Sequence, residues 1–262
     1  MRVDVIVLDV DGAELDLCVR SLQSQTVPAR VIVFDNGSRI PVSARGALPA
    51  GTLVLRSDTN LGFTGGVNEA FRHVDAELVA LVNNDAVLDR DWLATLVDAM
   101  DREPNLAAVQ TIIRRDAHTI DGAGIDISDG TFRQIGSGLP IGAPLPEAWG
   151  VSATAALYRV AALGERVFDP RFFAYYEDVE LCARLHERGW NTRVLPVVEA
   201  AHRGSQSASL LGGRALRLRT RNRYLVARLH RGVGRIPALL WEDAKLLLRG
   251  RSSLRGIIEG LF

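Results

Sequence analysis

Short apolar runs alternate, along the first part of the chain, with segments whose apolar residues recur at helical spacing. The runs have the length of strands buried on both faces and cover residues 3–10, 30–34, 53–55 and 78–82. Helical spacing is clearest at Leu15, Cys18 and Leu22, after the first run, and at residues 92–100, after the last. Strands that alternate with helices predict right-handed βαβ units in a mostly parallel sheet, so the expected fold class is α/β.

Beyond Pro104 the pattern changes to one with more short strands. We expect strands at residues 106–113, 149–157 and 193–198, a hairpin over residues 125–135 and a Gly- and Pro-rich loop over residues 136–146. A further helix is expected to start near Tyr176. The chain is thus expected to divide into residues 1–105, residues 106–212 of the same domain, and helices in residues 213–262.

Three of the early strands are followed by polar segments. Asp35 ends the second strand, residues 60–68 follow the third, and Asn83-Asn84-Asp85 ends the fourth. Because ligands collect outside the carboxyl ends of parallel strands, these segments predict a nucleotide-sized crevice in which Asp85 could hold a metal. The alternative interpretation of Asn83-Asn84-Asp85 is a turn that caps the next helix.

The segment over residues 60–68 contains Gly62, Gly65 and Gly66 and leads into a helix expected at residues 69–73. Glycines allow close approach to the backbone, and the N–H groups at a helix N-terminus can bind phosphate. The glycine spacing matches neither a Walker A loop nor GxGxxG. A tight turn before a helix is therefore the alternative.

Two residues of the second half are candidates for chemistry. On the helix that starts near Tyr176, Asp178 shares a face with Leu181 and Leu185, so we expect it to point inward and Glu177 to lie at the rim. An inward carboxylate is either a general base or a helix cap. His202 follows the last predicted strand and is either a metal ligand or a structural residue.

Composition excludes some classes of protein. The 31 basic and 31 acidic residues cancel, so no global charge indicates nucleic-acid binding. Cys18 and Cys182 have no CxxC partner and predict reduced core thiols, and we find no signal peptide or membrane-spanning run, which together predict a cytoplasmic protein.

Charge is uneven, however, because residues 204–262 carry 12 basic and 3 acidic residues. Apolar positions such as Leu218, Leu225 and Leu229 can share one helical face there, with Arg217 and Arg221 on another. One interpretation of this pattern is a peripheral contact with the inner membrane surface. The alternative is that the helices pack on the domain or form a homodimer contact, with the arginines on their solvated side.

Six ordered motifs together resemble one family. They are Asp35-Asn36-Gly37-Ser38, Asn60-Leu61-Gly62-Phe63, Asn83-Asn84-Asp85, and residues 168–173, 176–181 and 202–205. The chain resembles the family 2 inverting glycosyltransferases, which have the nucleotide-sugar-binding GT-A fold, and is most similar to their bacterial rhamnosyltransferase-like branch. The resemblance implies a Rossmann-like sheet flanked by helices, with residues 1–105 as the nucleotide-sugar-binding half and residues 106–212 as the acceptor-binding half.

The resemblance also implies an activity and the residues that perform it. A sugar, rhamnose or another hexose, would move from a nucleoside diphosphate-sugar to a hydroxyl of a glycan, lipid-linked or small-molecule acceptor. Asp178 would be the base, with Glu177 beside it, and Asp85 and His202 would hold Mg²⁺ or Mn²⁺. The other expected substrate- or nucleotide-binding residues are Asp11, Asp35, Asn60, Gly62, Gly65, Gly66, Asn84 and Trp149. A single inward carboxylate fits displacement with inversion, since retention would need a carboxylate nucleophile as well.

Two other functions fit parts of the chain. Residues 6–12 resemble the hydrophobic-DxDG motif of haloacid-dehalogenase-type phosphatases, with Asp9 as nucleophile and Asp11 as acid/base, although Ala13 and the lack of a paired Asp-Asp do not fit. The same residues lack the aromatic side chain that would stack on a nucleotide base, which leaves a non-catalytic carbohydrate-binding protein as the other alternative. Mutation of Asp178 or of Asp9 would discriminate between these functions.

Overall fold

The computed structural model describes residues 2–46, 48–202, 211–230 and 232–262. The strands are β1 (Val3–Asp9), β2 (Arg30–Asn36), β3 (Leu53–Ser57), β4 (Leu78–Asn83), β5 (Ala86–Leu88), β6 (Leu106–Arg114), β7 (Ile120–Gly122), β8 (Ile125–Asp126), β9 (Arg133–Gln134), β10 (Ala155–Arg159) and β11 (Asn191–His202). The helices are α1 (Leu15–Gln23), α2 (Gly62–Phe71), α3 (Trp92–Arg102), α4 (Val160–Leu163), α5 (Glu177–Glu187), α6 (Gly213–Leu229), α7 (Ile236–Leu247) and α8 (Leu254–Leu261), with a 3-10 turn at Val42–Ala44.

A mixed sheet of nine strands forms the centre of the molecule, in the order β3-β2-β1-β4-β10-β6-β11-β5, with β7 paired to β6. Its strand pairs divide equally into four parallel and four antiparallel, so the expectation of a mostly parallel sheet holds only for β1 to β4 and for β6 with β11. Strands β1 to β4 run parallel to one another, and β11 runs parallel to β6. Strand β10 lies antiparallel between β4 and β6 and so joins the two groups into one sheet. The expected α/β architecture is confirmed.

Helices cover both faces of this sheet. Since side chains of a strand alternate between faces, Val5 and Val7 of β1 pack with α1 and α3, whereas Ile6 packs on the other side with α2 and α5. Both layers are mainly apolar, which explains why the strands appear in the sequence as nearly continuous apolar runs.

Some expected boundaries are wrong. Helix α2 begins at Gly62, so most of the predicted glycine loop is the first turns of a helix. The strand expected from Trp149 begins only at Ala155. Asp85 lies in the turn between β4 and β5, and helix α3 begins later, at Trp92. The hairpin around Asp129-Gly130 is confirmed by the antiparallel pairing of β8 with β9.

The C-terminal helices are packed on one another through α6. Two glycines of α8 allow a close approach, because a Cβ at Gly256 would lie 2.7 Å from the Arg217 carbonyl oxygen and one at Gly260 would lie 2.5 Å from that of Arg221. The packed-helix alternative expected the arginines of α6 to be solvated, and this is wrong for two of them. Arg217 pairs with Glu259, and Arg228 donates to the Gly260 carbonyl.

Among the residues that the structure describes, no helix combines the length and the apolar character needed to cross a bilayer.

Candidate active site

A cleft of about 560 Å³ opens at the carboxyl ends of β1, β2 and β4, within the size range of small-ligand pockets. One wall comes from these strand ends and the start of α2, and the other from the β8–β9 hairpin and the segment that precedes α5. Polar and charged side chains that line it are Asn36, Asn60, Asn83, Asp85, Asp121, Arg133, Gln134, Ser152, Thr154, Glu177, Asp178, His202 and Arg219.

Asp85 and His202 meet in this cleft. Strand β11 pairs antiparallel with β5 so that His202 lies opposite Ala86, which brings the residue before β5 next to the histidine ring. The Nε2 atom of His202 is 3.1 Å from Asp85 Oδ1, and its Nδ1 atom is 2.8 Å from Asp121 Oδ2. All three side chains are buried. The structure therefore places the imidazole between two carboxylates.

This arrangement sets the charge of the histidine. Burial lowers the pKa of His202, but the hydrogen bonds to Asp121 and Asp85 outweigh burial and raise its pKa to about 9. Burial raises the pKa of Asp121, and its contacts with His202 and Arg115 reverse that effect and hold the pKa below its usual value. The protonated ring is thus a cation held between two carboxylates. A divalent cation bound at Nε2 could take the place of the proton there.

The donor set fits a divalent cation. A carboxylate oxygen and an imidazole nitrogen are ligands that Mn²⁺ accepts, and carboxylates also suit Mg²⁺. Asp121 accepts from the other ring nitrogen of His202, as the outer-shell carboxylate of a metal-bound histidine does. Within the described residues there is no group of three or more His, Cys, Asp or Glu side chains that could hold a metal by itself. A cation at Asp85 and His202 would need further ligands from a bound substrate or water.

A second pair of carboxylates lies at the start of α5. Asp178 lines the cleft and accepts from its own helix at the Val179 N–H, 2.9 Å away. Burial raises the pKa of Asp178, and hydrogen bonds from the Val179 and Ala153 backbone and from Ser152 oppose that rise. Burial and the neighbouring Asp178 raise the pKa of Glu177 to about 8.

The expected placement of these two residues is partly wrong. Glu177 is the more buried of the pair, not a rim residue, and its Oε2 atom has no hydrogen-bond partner among the described residues. Asp178 is half-buried because it borders the open cleft. A second inward carboxylate is therefore present, contrary to the sequence-based expectation of only one.

An unusual backbone holds these carboxylates in place. Tyr175 and Tyr176 have positive φ angles of 72° and 67°, which residues other than glycine rarely adopt. The fully buried Asn222 of α6 donates to the carbonyl oxygens of Ala174, at 2.9 Å, and Tyr175, at 2.8 Å. Arg219 of the same helix lies over the Tyr175 ring, 4.4 Å from its centroid. Helix α6 thus fixes the turn that leads into α5.

The expected nucleotide-binding residues divide into two groups. Asn60 and Gly62 line the cleft. Gly65 and Gly66 do not, and a Cβ at Gly66 would collide with Leu8, so this glycine serves the packing of α2 on β1.

Four others lie outside the cleft lining. Asp35 is buried, accepts from the Ser38 and Val42 N–H groups and pairs with Arg56. Asp11, with φ of 53°, pairs with exposed Arg39. Asn84 donates to Asp9 at 2.6 Å. Trp149 packs edge-on against His186 and borders a separate surface cavity.

Asp9 is enclosed by partners. Its side chain has no exposed surface, and it accepts from the Gly12 N–H and Asn84 and pairs with Arg45. A carboxylate in this state cannot attack a phosphoryl group without breaking the network, so the geometry does not favour the phosphatase alternative.

Sequence reasoning missed Asp121, Ser152 and Arg219. Asp121 lies in a three-residue edge strand with no recognisable motif, and Arg219 is one of many arginines in the basic segment. The motif at residues 202–205 was expected to continue past His202, and residues 203–205 lie outside the described residues.

Comparison with known proteins identifies the family. The sequence profile described as Glycosyl transferase family 2 matches residues 5–166. The chain is 28% identical over 287 residues to N-acetylglucosaminyl-diphospho-decaprenol L-rhamnosyltransferase of Mycobacterium tuberculosis, covering 93% of this chain and 91% of that protein. It is 32% identical over 117 residues to an N-acetylglucosaminyltransferase of Azorhizobium caulinodans, 41% of this chain and 29% of that protein.

Solved structures show the same fold. The mannosyltransferase PcManGT of Pyrobaculum calidifontis, in complex with GDP-Man and Mn²⁺, has a TM-score of 0.62 at 19% identity, over 98% of this chain and 77% of that one. S. aureus TarS 1-349 in complex with UDP-GlcNAc has a TM-score of 0.60 at 18% identity, over 87% of this chain and 65% of that one. The expected GT-A fold is confirmed. Since the family profile matches well over half of its residues, the chain belongs to glycosyl transferase family 2 and is similar to a rhamnosyltransferase along nearly all of its length.

Proposed function

We propose that this glycosyltransferase is metal-dependent and inverting, and that it moves a hexose, rhamnose being the leading candidate, from a nucleoside diphosphate-sugar to a hydroxyl of a lipid-linked acceptor. Its main support is that Asp85, His202 and Asp178, which are distant in sequence, line one cleft at the carboxyl ends of the parallel strands. The full-length similarity to a rhamnosyltransferase supports both the sugar and the lipid-linked acceptor.

The leaving diphosphate would lie near Asp85 and His202. Those two residues would hold the cation, and Asp121 would keep the Nε2 atom of His202 directed toward it. When bound, Mg²⁺ or Mn²⁺ neutralises charge on the diphosphate oxygens as the bond to the sugar breaks. The structural neighbour solved with GDP-Man and Mn²⁺ supports a divalent cation as cofactor.

The nucleoside would lie between the strand ends and α2, beside Asn60 and Gly62. Leu8 and Val10 line this part of the cleft, and the aromatic side chains beside Gly62 are Phe63 of α2 and Phe173. Base binding would therefore depend on apolar contacts and on polar groups of the loop. Structural neighbours solved with UDP and with UDP-GlcNAc support a nucleotide-sugar as the donor.

Asp178 would accept the proton of the acceptor hydroxyl. Its raised pKa increases its basicity, and its position in the cleft gives it access to substrate. Glu177, with its pKa raised to about 8, is mostly protonated at neutral pH and is then a poor nucleophile. A single base acting on the acceptor gives displacement with inversion.

The variant Asp178→Asn tests this proposal. It should lower transfer by about 10³-fold or more while leaving the affinity for the nucleoside diphosphate within about twofold, because the base acts on the acceptor. Transfer is measured with a radiolabelled donor and a lipid diphosphate-linked N-acetylglucosamine, and NMR of the product's anomeric proton reports inversion. The exposed variant Asp98→Asn is the control. Full transfer by Asp178→Asn would refute its role as the base, and donor binding without any transfer by the parent protein would favour a carbohydrate-binding protein.

A further inference from the structure

Helices α7 and α8 carry apolar residues on both of their faces. Their inner faces place Leu239 and Ile257 against Tyr224 of α6. Their outer surfaces expose large apolar side chains, which are Leu240 (40%), Trp241 (68%), Leu247 (37%), Leu248 (92%), Leu254 (63%), Ile258 (53%) and Phe262 (92%). The last three are spaced four residues apart and form one stripe along α8. A helix that faced only water would be polar on its outer side.

The acidic residues of α7 and α8 have basic partners, most of them on α6. All of these acidic residues point toward α6 or pair with basic residues: Asp243 is buried against Arg223, Glu242 pairs with Arg223, and Glu259 pairs with Arg217 and Arg255. Tyr224 and Ser252 also donate to Asp243, each at 2.5 Å, which fixes α7 on α6.

Basic residues remain on the outer surface. Lys245, Arg249 and Arg251 are exposed, and none of them forms an ion pair with an acidic side chain in the part of the chain that the structure describes. Lys245 instead lies over Trp241, with its Nζ 4.8 Å from the ring centroid. The outer surface of α7 and α8 is therefore apolar and uniformly cationic.

We propose that this outer surface of α7 and α8 binds the face of an anionic lipid bilayer. Apolar side chains flanked by lysine and arginine are what an interfacial helix needs, because the apolar groups enter the acyl boundary while the cations meet anionic headgroups. The exposed Trp241 has the amphipathic ring that favours the headgroup region. Charge complementarity favours an anionic bilayer over a second copy of this chain, whose same surface would carry the same charge.

The surface is connected to the cleft through α6. Arg219 of α6 lines the cleft, whereas Arg217, two residues earlier, pairs with Glu259 of α8. Two helix layers, α6 and then α7 or α8 itself, thus separate the cleft from the lipid-binding surface, a distance of about 20 Å at a helix diameter of about 10 Å. If the acceptor is lipid-linked, as proposed above, docking would bring the cleft close to the plane in which that acceptor lies.

Vesicle sedimentation with the full chain, without donor or acceptor, tests the surface independently of the proposed reaction. The protein should bind vesicles of phosphatidylglycerol and phosphatidylcholine, and binding should fall strongly with phosphatidylcholine alone or in about 0.5 M NaCl. Replacing Lys245, Arg249 and Arg251 by glutamine should weaken binding to anionic vesicles by about a hundredfold. The apolar variant Leu248→Gln/Ile258→Gln/Phe262→Gln should weaken it by about tenfold or more.

The matched control is Leu17→Gln/Ile40→Gln/Leu139→Gln, which removes exposed apolar side chains from outside the C-terminal helices and should bind as the parent does. Circular dichroism and the melting temperature confirm that each variant is folded. Two results would overturn the proposal: no binding of the parent to anionic vesicles, or equal binding by the parent and both C-terminal variants. A dimer of the parent that the apolar variant abolishes, without vesicle binding, would assign the surface to self-association instead. If the parent protein binds anionic vesicles but transfers no sugar, the result would count against the proposed reaction and not against the lipid-binding surface.

Discussion

Asp121 acts on the candidate cation site without lying next to the expected cation. Its carboxylate accepts from Nδ1 of His202 at 2.8 Å, which leaves Nε2 directed at Asp85. The Asp121 carboxylate also pairs with Arg115, and this contact helps to keep the carboxylate ionised. Asp121 is therefore expected to be a positioning residue that fixes the tautomer and the orientation of the histidine ring.

The variant Asp121→Asn should weaken Mn²⁺ binding by about 10- to 100-fold, because the ring loses its outer-shell carboxylate. Calorimetric titration with Mn²⁺ in the presence of UDP or GDP measures the affinity. The control Asp98→Asn changes an exposed carboxylate on α3 and should leave the affinity unchanged. Equal affinities for the parent and Asp121→Asn would show that the carboxylate does not support a metal-bound histidine.

Glu177 and Asp178 are neighbouring carboxyl groups, and the charge of Asp178 disfavours ionisation of Glu177. Burial raises the pKa of both, and the Asp178 charge adds to the rise at Glu177. Because Asp178 must be deprotonated to act as a base, transfer should fall as pH decreases through its raised pKa. The two groups titrate as a pair, so the profile reports apparent values.

The variant Glu177→Gln replaces a carboxyl group that its raised pKa keeps protonated near neutral pH with a neutral amide of similar size. The acid limb of the pH–rate profile should therefore stay within about 0.3 units of the parent's, because the charge near Asp178 does not change where Asp178 titrates. The exposed Glu165→Gln serves as the control and should leave the profile in place. A shift of the acid limb to lower pH by about one unit would mean instead that Glu177 is ionised in that range and that its charge raises the pKa of Asp178.

At the level of elements, α6 stabilises the turn before α5. Its residue Asn222 donates to two carbonyl groups in a segment whose next residues, Tyr175 and Tyr176, have positive φ angles. Such angles persist only where surrounding contacts hold them. The position of Asp178, the proposed base, is thus expected to depend on a side chain that lies outside the cleft lining.

Removing this support with Asn222→Ala should lower the free energy of unfolding by about 1–3 kcal/mol, since two buried carbonyl groups lose their donor. It should also lower kcat more than it weakens nucleotide binding, since the turn positions Asp178. Asn105→Ala is the matched control: Asn105 is exposed, donates to the Gly189 carbonyl, and its loss should cost less than about 0.5 kcal/mol. Denaturant unfolding and steady-state kinetics measure both effects. A variant with reduced stability and full kcat would limit Asn222 to a structural role.

The elements themselves were largely predictable, for a physical reason. Strands β1, β2 and β4 are buried on both faces, so they appear as uninterrupted apolar runs, and α1 and α3 have one clear apolar face. The start of α2 was not predicted because Gly62, Gly65 and Gly66 are weak helix formers that close packing requires there. The late start of β10 was missed because Val151 and Ala153 alternate with Ser152 and Thr154 before it, as apolar and polar residues do in a strand.

The site was less predictable than the sheet. Asp85, His202 and Asp178 stand out in sequence because each follows or begins a clear element, and the structure places all three in the cleft. Asp35 looked equivalent to Asp85 at a strand end, but backbone N–H groups and Arg56 occupy its oxygens. Only the tertiary arrangement separates a carboxylate that serves the fold from one that is open to a ligand.

At the scale of the whole molecule, sheet order creates the cleft. Strand β10 lies between β4 and β6, and β11 lies beyond β6 and carries β5 at its edge. This order returns the chain after Asp85 to pair with the end of β11, so that residues 85 and 202 become neighbours. The C-terminal helices then close the side of the cleft through Arg219.

Nucleotide binding with and without Mn²⁺ tests the central claim, that Asp85 and His202 would hold a divalent cation that helps to bind the donor diphosphate. UDP, GDP and dTDP are titrated calorimetrically into the parent, Asp85→Asn and Asp178→Asn. We expect Mn²⁺ to tighten binding of at least one nucleotide by about tenfold or more in the parent and in Asp178→Asn, and to have no effect in Asp85→Asn. Nucleotide affinity that is independent of Mn²⁺ in the parent, or an Asp85→Asn variant that responds to Mn²⁺ as the parent does, would contradict the account.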